Sequence, residues 1–260
     1  MSDALNTKNN IVTLKDAELS FRLGKNKNIK VLDKLNLEIE NGKVLGLVGE
    51  SGCGKTTVTR VLLGLESLSN GTYTFLNREI KSRSDFSFVR QNMQMVFQDP
   101  FLSIDPTMRM KDVLEEPMLG LRKEWDKKTR EKKILKLIEL VGLDRSYLNY
   151  KSKEMSGGQR QRIGIARALI TEPKVLLCDE CVSALDISIQ AQILNLLIKI
   201  KNELEVTIVF ISHDLAVVKY IADEIAVMKD GKICEKRSSE DLFKNPESEH
   251  TKYLIESALL

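Results

Sequence analysis

The spacing of hydrophobic residues changes along the chain and divides it into three regions. Near the N-terminus Leu35, Leu37 and Ile39 alternate with polar residues, which is typical of a half-buried strand. Val44–Val48 is then a continuous apolar run, as in a strand that is buried on both faces. After residue 156 short apolar runs alternate with stretches of helical periodicity, which predicts a parallel sheet with connecting helices.

Turn signals and periodicity predict the individual elements. Asn41-Gly42, Asn70-Gly71 and Asp230-Gly231 are typical of turns. The third region predicts helices over 159–170 and 187–203 and strands over 175–178 and 206–211. The middle, about 100–155, is predicted to be a helical insert, and its charged stretch Lys123–Lys133 contains both signs. Mixed signs favour a solvated helix face there over a site for polyanions.

Composition limits the class of protein. The 260 residues allow one large domain or two small ones, and 40 basic against 37 acidic residues give a net charge of +3. That balance gives little reason to expect a nucleic-acid partner. The longest apolar run, 44–49, is far shorter than the about 20 residues that a membrane-spanning helix needs. The N-terminal segment lacks the apolar core of a secretory signal. Cys178 and Cys181 form a CxxC, but no second pair or histidine cluster completes a zinc site, so incidental cysteines in a reducing cytosol are expected.

The strongest motif begins where the buried strand ends. Gly49-Glu50-Ser51-Gly52-Cys53-Gly54-Lys55-Thr56 fits G-x4-G-K-[ST] and is followed by a helical run over 57–63. Glycines let the backbone wrap around phosphates, and a helix start adds positive potential at the same place. Lys55 is then expected to reach the β- and γ-phosphates and the Thr56 hydroxyl to bind Mg²⁺.

Two further motifs carry candidate chemistry. The strand at 175–178 is followed by two acids, of which Asp179 is placed to hold Mg²⁺ and Glu180 to polarise the attacking water. The alternative is that these acids only cap the following turn. The segment Ser156-Gly157-Gly158-Gln159 precedes a helix and could bind a second phosphate, or a nucleotide held by another copy. By itself it could also be an ordinary helix start.

These motifs, followed by Ser183-Ala184-Leu185-Asp186 and Ser212-His213, resemble the nucleotide-binding subunits of ATP-binding-cassette (ABC) transporters over nearly the whole chain. The resemblance implies a P-loop ATPase fold of the α/β class. In it a mostly parallel sheet carries an N-terminal antiparallel β subdomain and an inserted α-helical subdomain. The implied single domain has its core at about 11–97 and 158–235, helices at about 98–157 and a short tail at 236–260.

The resemblance also implies roles for individual residues. Glu180 would be the catalytic carboxylate, His213 the switch histidine and Gln98 the glutamine that touches Mg²⁺ or water; Lys55 completes the catalytic set. Thr56, Gln98 and Asp179 would hold Mg²⁺. Phe21 is the candidate for stacking on adenine, although it could equally be a core residue. The implied ATP-binding residues are Phe21, Gly49, Glu50, Ser51, Gly52, Cys53, Gly54, Lys55, Thr56, Thr57, Ser156, Gly157, Gly158, Gln159 and Asp186.

A narrower resemblance follows Gln98. The segments 99–106 and 115–117 look like the peptide and nickel importer branch, and the short chain beyond His250-Thr251-Lys252-Tyr253-Leu254 favours nickel or metallophores over peptides. The sequence departs from the family pattern at Met155, where leucine is commoner, and at Cys181-Val182, where Pro-Thr is frequent. Neither change removes a catalytic atom.

The expected partners follow from the same resemblance. They are two permease subunits, a second ATPase chain that differs from this one and, indirectly, an extracytoplasmic solute-binding protein, with no nucleic acid. The expected location is the cytoplasmic face of the cell membrane. An export ATPase and a non-transport ABC ATPase, as in DNA repair or translation, are the alternatives.

Overall fold

The computed structural model describes residues 9–23, 27–98 and 104–258, with the side chains of 23, 27, 28 and 258 left aside. These residues form two compact units, Met1–Val89 with Phe210–Leu260, and Arg90–Val209. The second helix and the eighth strand contain the points of division. In the described part of the chain no helix is long and apolar enough to cross a membrane.

The first unit contains two sets of strands. An antiparallel sheet has the order β2-β1-β4-β5, formed by β1 (Asn10–Leu23), β2 (Lys27–Glu40), β4 (Asn70–Phe75) and β5 (Arg78–Glu79). In the other set β3 (Val44–Val48) pairs in parallel with β9 (Glu224–Lys229), and β9 pairs antiparallel with β10 (Lys232–Ser238). All five residues of β3 are buried, as its unbroken apolar run predicts.

In the described part of this unit four helices lie wholly within it: α1 (Lys55–Leu62), α7 (Leu215–Ile221), α8 (Ser239–Lys244) and α9 (Glu249–Ala258). A further helix, α2 (Arg83–Asn92), begins in it. One predicted turn is wrong: Asn70-Gly71 lies inside β4. The pair opens this strand, and the register against β1 shifts between Lys15 and Glu18, where β1 has one residue more than β4; the bulge therefore lies in β1, opposite the pair.

The second unit is mainly helical around a pair of parallel strands. The pair is β6 (Met93–Val96) and β7 (Val175–Asp179). The eighth strand, β8 (Thr207–Ile211), begins in this unit, which ends at Val209. The helices are α3 (Met110–Leu121), α4 (Lys127–Leu140), α5 (Gly157–Leu169) and α6 (Ile187–Leu204), with short 3-10 turns at Arg145–Asn149 and Ser152–Glu154. The helix predicted over 159–170 therefore begins two residues earlier, because Ser156 caps it.

Candidate functional site

The glycine-rich loop after β3 is closed too tightly for side chains at its first position. Gly49 has φ of +152°, and a Cβ there would lie 2.2 Å from the carbonyl oxygen of Met228. Gly54, with φ of +111°, is the N-cap of α1. Glycine has no side chain at these positions, so the backbone can approach a phosphate closely with its N–H groups pointing into the loop.

Helix α1 begins without the usual side-chain cap. Its N-cap residue, Gly54, provides no side-chain capping hydrogen bond, and the first turn contains no acidic residue. The N–H groups at the start of the helix therefore keep their donors and their positive potential for an anion. Thr56 and Thr57 lie in this first turn, and Thr56 is exposed.

The Lys55 side chain folds back over the loop. Its ammonium donates to the carbonyl oxygens of Gly49, at 2.7 Å, and Glu50, at 2.8 Å. Lys55 is buried, with 7% of its surface exposed. The Cys53 sulfur lies 3.8 Å from the same nitrogen, and burial raises the pKa of that thiol. Two of the three ammonium donors are thus taken by backbone carbonyls of the loop, and phosphate oxygens would have to replace these carbonyls as acceptors.

The predicted acidic pair lies in the other unit, at the carboxyl end of β7. Asp179 ends the strand and is 7% exposed, whereas the next residue, Glu180, has φ of +48°. Left-handed backbone is uncommon for a glutamate and such strain gathers at functional sites. The Gln98 amide donates to Glu180 Oε2 at 3.3 Å. The structure therefore brings together two of the predicted catalytic residues within one unit.

The segment Ser156–Gln159 forms a capping box at the start of α5. The Ser156 hydroxyl oxygen accepts from the Gln159 amide at 3.3 Å, and Gln159 Oε1 accepts from the Ser156 amide at 2.8 Å. Gln159 Nε2 donates to the Tyr147 hydroxyl at 2.7 Å. A Cβ on Gly158 would lie 2.7 Å from Ile189 Cγ2, so α5 approaches the start of α6 closely.

The remaining predicted residues lie at element ends or on a strand. Asp186 is the exposed N-cap residue of α6, and its side chain accepts no capping hydrogen bond. His213 is exposed in the short connection after β8, just before Asp214, which caps α7. Phe21 is half-buried on β1 opposite Ile29 of β2. This placement is compatible with both alternatives for Phe21.

The two cysteines of the CxxC motif, Cys178 and Cys181, flank Asp179 and Glu180 in the sequence and are buried. The pKa of Cys178 is raised well above its ordinary value by a hydrogen bond with Cys181 and by burial. Among the described residues no group of three or more His, Cys, Asp or Glu side chains could hold a metal ion.

Comparison with known proteins decides the family. The sequence pattern described as ABC transporter matches residues 32–183, more than half of the chain. The chain belongs to the ABC transporter family. The oligopeptide transport ATP-binding protein OppF of Streptococcus mutans is 43% identical over 248 residues, which cover 94% of this chain and 80% of that protein. The dipeptide transport ATP-binding protein DppF of Lactococcus lactis subsp. cremoris is 42% identical over 251 residues, covering 95% and 80%.

Solved structures agree with the family. One is the ATP-binding cassette MJ0796 in a dimeric post-hydrolysis state bound to ADP and Pi. It is 28% identical, with a TM-score of 0.77, and the match covers 88% of this chain and 98% of the MJ0796 chain. The cbiO1 protein of Clostridium perfringens, part of the ABC transporter complex cbiONQ, is 26% identical with a TM-score of 0.81, covering 91% and 92%. The α/β cassette fold is confirmed, and the chain is an ATP-binding ATPase subunit of the ABC type.

Several supporting residues carry no signal in the sequence. Tyr147 holds Gln159 from a 3-10 turn, and Ile189 limits residue 158 to glycine from the next helix. Both contacts join residues that are distant in the sequence, so neither periodicity nor motif spacing could indicate them.

Proposed function

We propose that this subunit binds Mg²⁺–ATP and energises the uptake of peptides. The observation that carries the nucleotide site is the glycine-lined loop with Lys55 held at its mouth by Gly49 and Glu50. The substrate class is supported by relatives at 42–43% identity whose names give oligopeptide or dipeptide transport. These names favour peptides, against the preference for nickel or metallophores that the sequence alone gave.

The residues present fit the nucleotide and its metal ion. The free N–H groups of α1, the Lys55 ammonium and the thin loop suit the phosphates. Thr56 presents a hydroxyl in the first helical turn, and Asp179 presents a carboxylate at the end of β7. Oxygen ligands of this kind are the ones that Mg²⁺ prefers. When bound, the ion would neutralise phosphate charge during transfer. Phe21 is proposed to stack on the adenine. The loop residues Glu50–Cys53 are proposed to contact the phosphates, and Thr57 is proposed to contact the α-phosphate.

In the proposed mechanism the protein mainly positions groups. Glu180 accepts a hydrogen bond from the attacking water and orients its lone pair, while Gln98 holds the Glu180 carboxylate through the observed hydrogen bond. His213 donates to the γ-phosphate. Because the Gln98 hydrogen bond positions the Glu180 carboxylate before the reaction, this group can act without reorganising.

The second phosphate site is proposed to serve a partner subunit. Ser156, Gly157, Gly158 and Gln159 would contact the γ-phosphate of ATP held by the other ATPase chain, and Asp186 would face that chain. We propose a different chain as this partner, two permeases as the membrane subunits and a solute-binding protein acting through them. The complex would place this subunit at the cytoplasmic side of the membrane.

One experiment tests both the site and the substrate. The subunit is reconstituted with its permeases and partner ATPase, and ATP hydrolysis is measured while solute-binding protein loaded with peptide or with nickel is added. Peptide-loaded protein should stimulate turnover. Glu180→Gln should keep ATP binding and lower stimulated kcat by about 100-fold or more, since loss of a proton-accepting carboxylate typically costs that much.

The matched control is Glu203→Gln, which changes an exposed carboxylate near the C-terminal end of α6 that pairs with Lys199 at i,i+4. It should leave both binding and kcat unchanged. Full turnover by Glu180→Gln would refute the role of that residue. Stimulation by nickel alone would overturn the substrate class, and stimulation by neither solute would contradict the importer.

A further inference from the structure

A second concave site lies at the opposite end of β7 from the acidic pair. Its members flank the amino ends of two strands: Lys174 directly precedes β7, and Val206 directly precedes β8. Asp179 closes the other end of β7. At about 3.3 Å per residue these ends are roughly 17 Å apart, so the two sites share no side chain.

The cavity has an apolar floor and a charged rim. Its volume is about 200 Å³. Leu137 and Leu140 of α4, Leu169 and Ile170 at the end of α5, and Leu204 at the end of α6 supply apolar walls, and all belong to the second unit. Leu204 is 37% exposed at the mouth. A concave apolar surface with a few polar groups at one side is the usual form of a small-molecule site.

The rim carries an excess of positive charge. Lys133 pairs with Glu172, and both line the cavity. Lys136 and Lys174 also line it and are exposed, and neither has an ion pair or a side-chain hydrogen bond among the residues that the structure describes. Two uncompensated ammonium groups above an apolar floor are complementary to a molecule with an apolar body and a negative end.

We propose that this cavity binds a small organic carboxylate with an apolar body of roughly six to eight carbons, as a cavity of about 150 Å³ already accepts benzene. The chain packs against Leu137 and Leu204, and the carboxylate accepts hydrogen bonds from Lys136 and Lys174. The ligand class is an anionic amphiphile, and its binding is independent of the nucleotide function.

The test is calorimetric titration of the full chain with octanoate, acetate and octylammonium. Octanoate should bind at one site, with affinity at least tenfold above the other two, because acetate lacks the apolar body and octylammonium has the wrong charge. Added salt should weaken it, since the paired charges are partly exposed. Lys133 lies 4.1 Å from the ring of Trp125, the sole tryptophan, so fluorescence should shift at the same midpoint.

Variants locate the site. Lys136→Glu and Lys174→Glu should each lower octanoate affinity by about fivefold or more, as expected for reversing an exposed charge beside an anion. Lys132→Glu, an exposed change on the same helix outside the cavity, should not. Circular dichroism confirms that each variant is folded. Equal affinity for octanoate and octylammonium, absence of binding, or an unchanged affinity in both rim variants would overturn the proposal.

Discussion

Replacing Gly158 by alanine should disturb the start of α5 through one specific contact. The new Cβ would lie 2.7 Å from Ile189 Cγ2, about 0.7 Å inside the shortest ordinary contact distance, 3.4 Å. Ile189 cannot easily turn away, because a β-branched residue in a helix strongly prefers one χ1 rotamer. The helices must therefore separate slightly or Ile189 must leave its rotamer.

The size of the effect follows from two opposing terms. Overpacking of a close contact typically costs about 1–3 kcal/mol. Alanine is favoured over glycine within a helix by at most about 1 kcal/mol. Gly158→Ala should therefore lower the free energy of unfolding by about 1 kcal/mol. In an Ile189→Ala background the clashing Cγ2 is gone, and the same glycine substitution should be neutral or stabilising.

The assay is urea unfolding of the four proteins of this double-mutant cycle, followed by circular dichroism. Midpoints should differ while the slope with denaturant stays constant, which identifies a change in stability. The coupling energy between the two substitutions should be about 1 kcal/mol or more, in the sense of rescue, because Gly158→Ala is costly only where Ile189 is present. Equal destabilisation by Gly158→Ala in both backgrounds would refute the steric explanation.

Two further predictions concern hydrogen bonds that hold local structure. Ser156→Ala should lower the free energy of unfolding by about 1 kcal/mol in urea titrations because α5 loses its N-cap, whereas Ser156→Thr should retain most of it. Asp85 accepts hydrogen bonds from the Ser82 hydroxyl and amide, which hold the pKa of its carboxyl well below the ordinary value. This contribution is complete above the unfolded pKa of about 3.9 and is lost as pH falls below it, so Asp85→Asn should show a shallower loss of stability on acidification; parallel profiles would contradict this.

The sequence contains enough to predict the elements that carry local motifs. Unbroken apolar runs correctly indicate β3 and β7, because a strand buried on both faces needs no polar alternation. The glycine-rich segment and the following helix are also predictable, since their residue types and spacing are set by backbone geometry. Ser156-Gly157-Gly158-Gln159 was predicted as a helix start, and the structure shows it as a complete capping box.

Features that depend on distant partners could not be predicted. The Asn70-Gly71 pair has the local signature of a turn, but pairing with β1 makes it the start of β4, opposite a bulge in β1. Lys136 of α4 and Lys174, which precedes β7, lie on separate elements, and only folding brings them to one cavity.

The backbone at Glu180 has a consequence for how that position tolerates substitution. Its φ of +48° lies in a region that asparagine and aspartate occupy more readily than glutamate. A shorter acid there would relax the main chain, which favours the folded protein, but it would also withdraw its carboxylate from Gln98, which removes a hydrogen bond. Glutamine has no such advantage in left-handed backbone and keeps the length of the side chain. Glutamine therefore changes the charge at residue 180 while leaving the conformational preference of the loop nearly as it is.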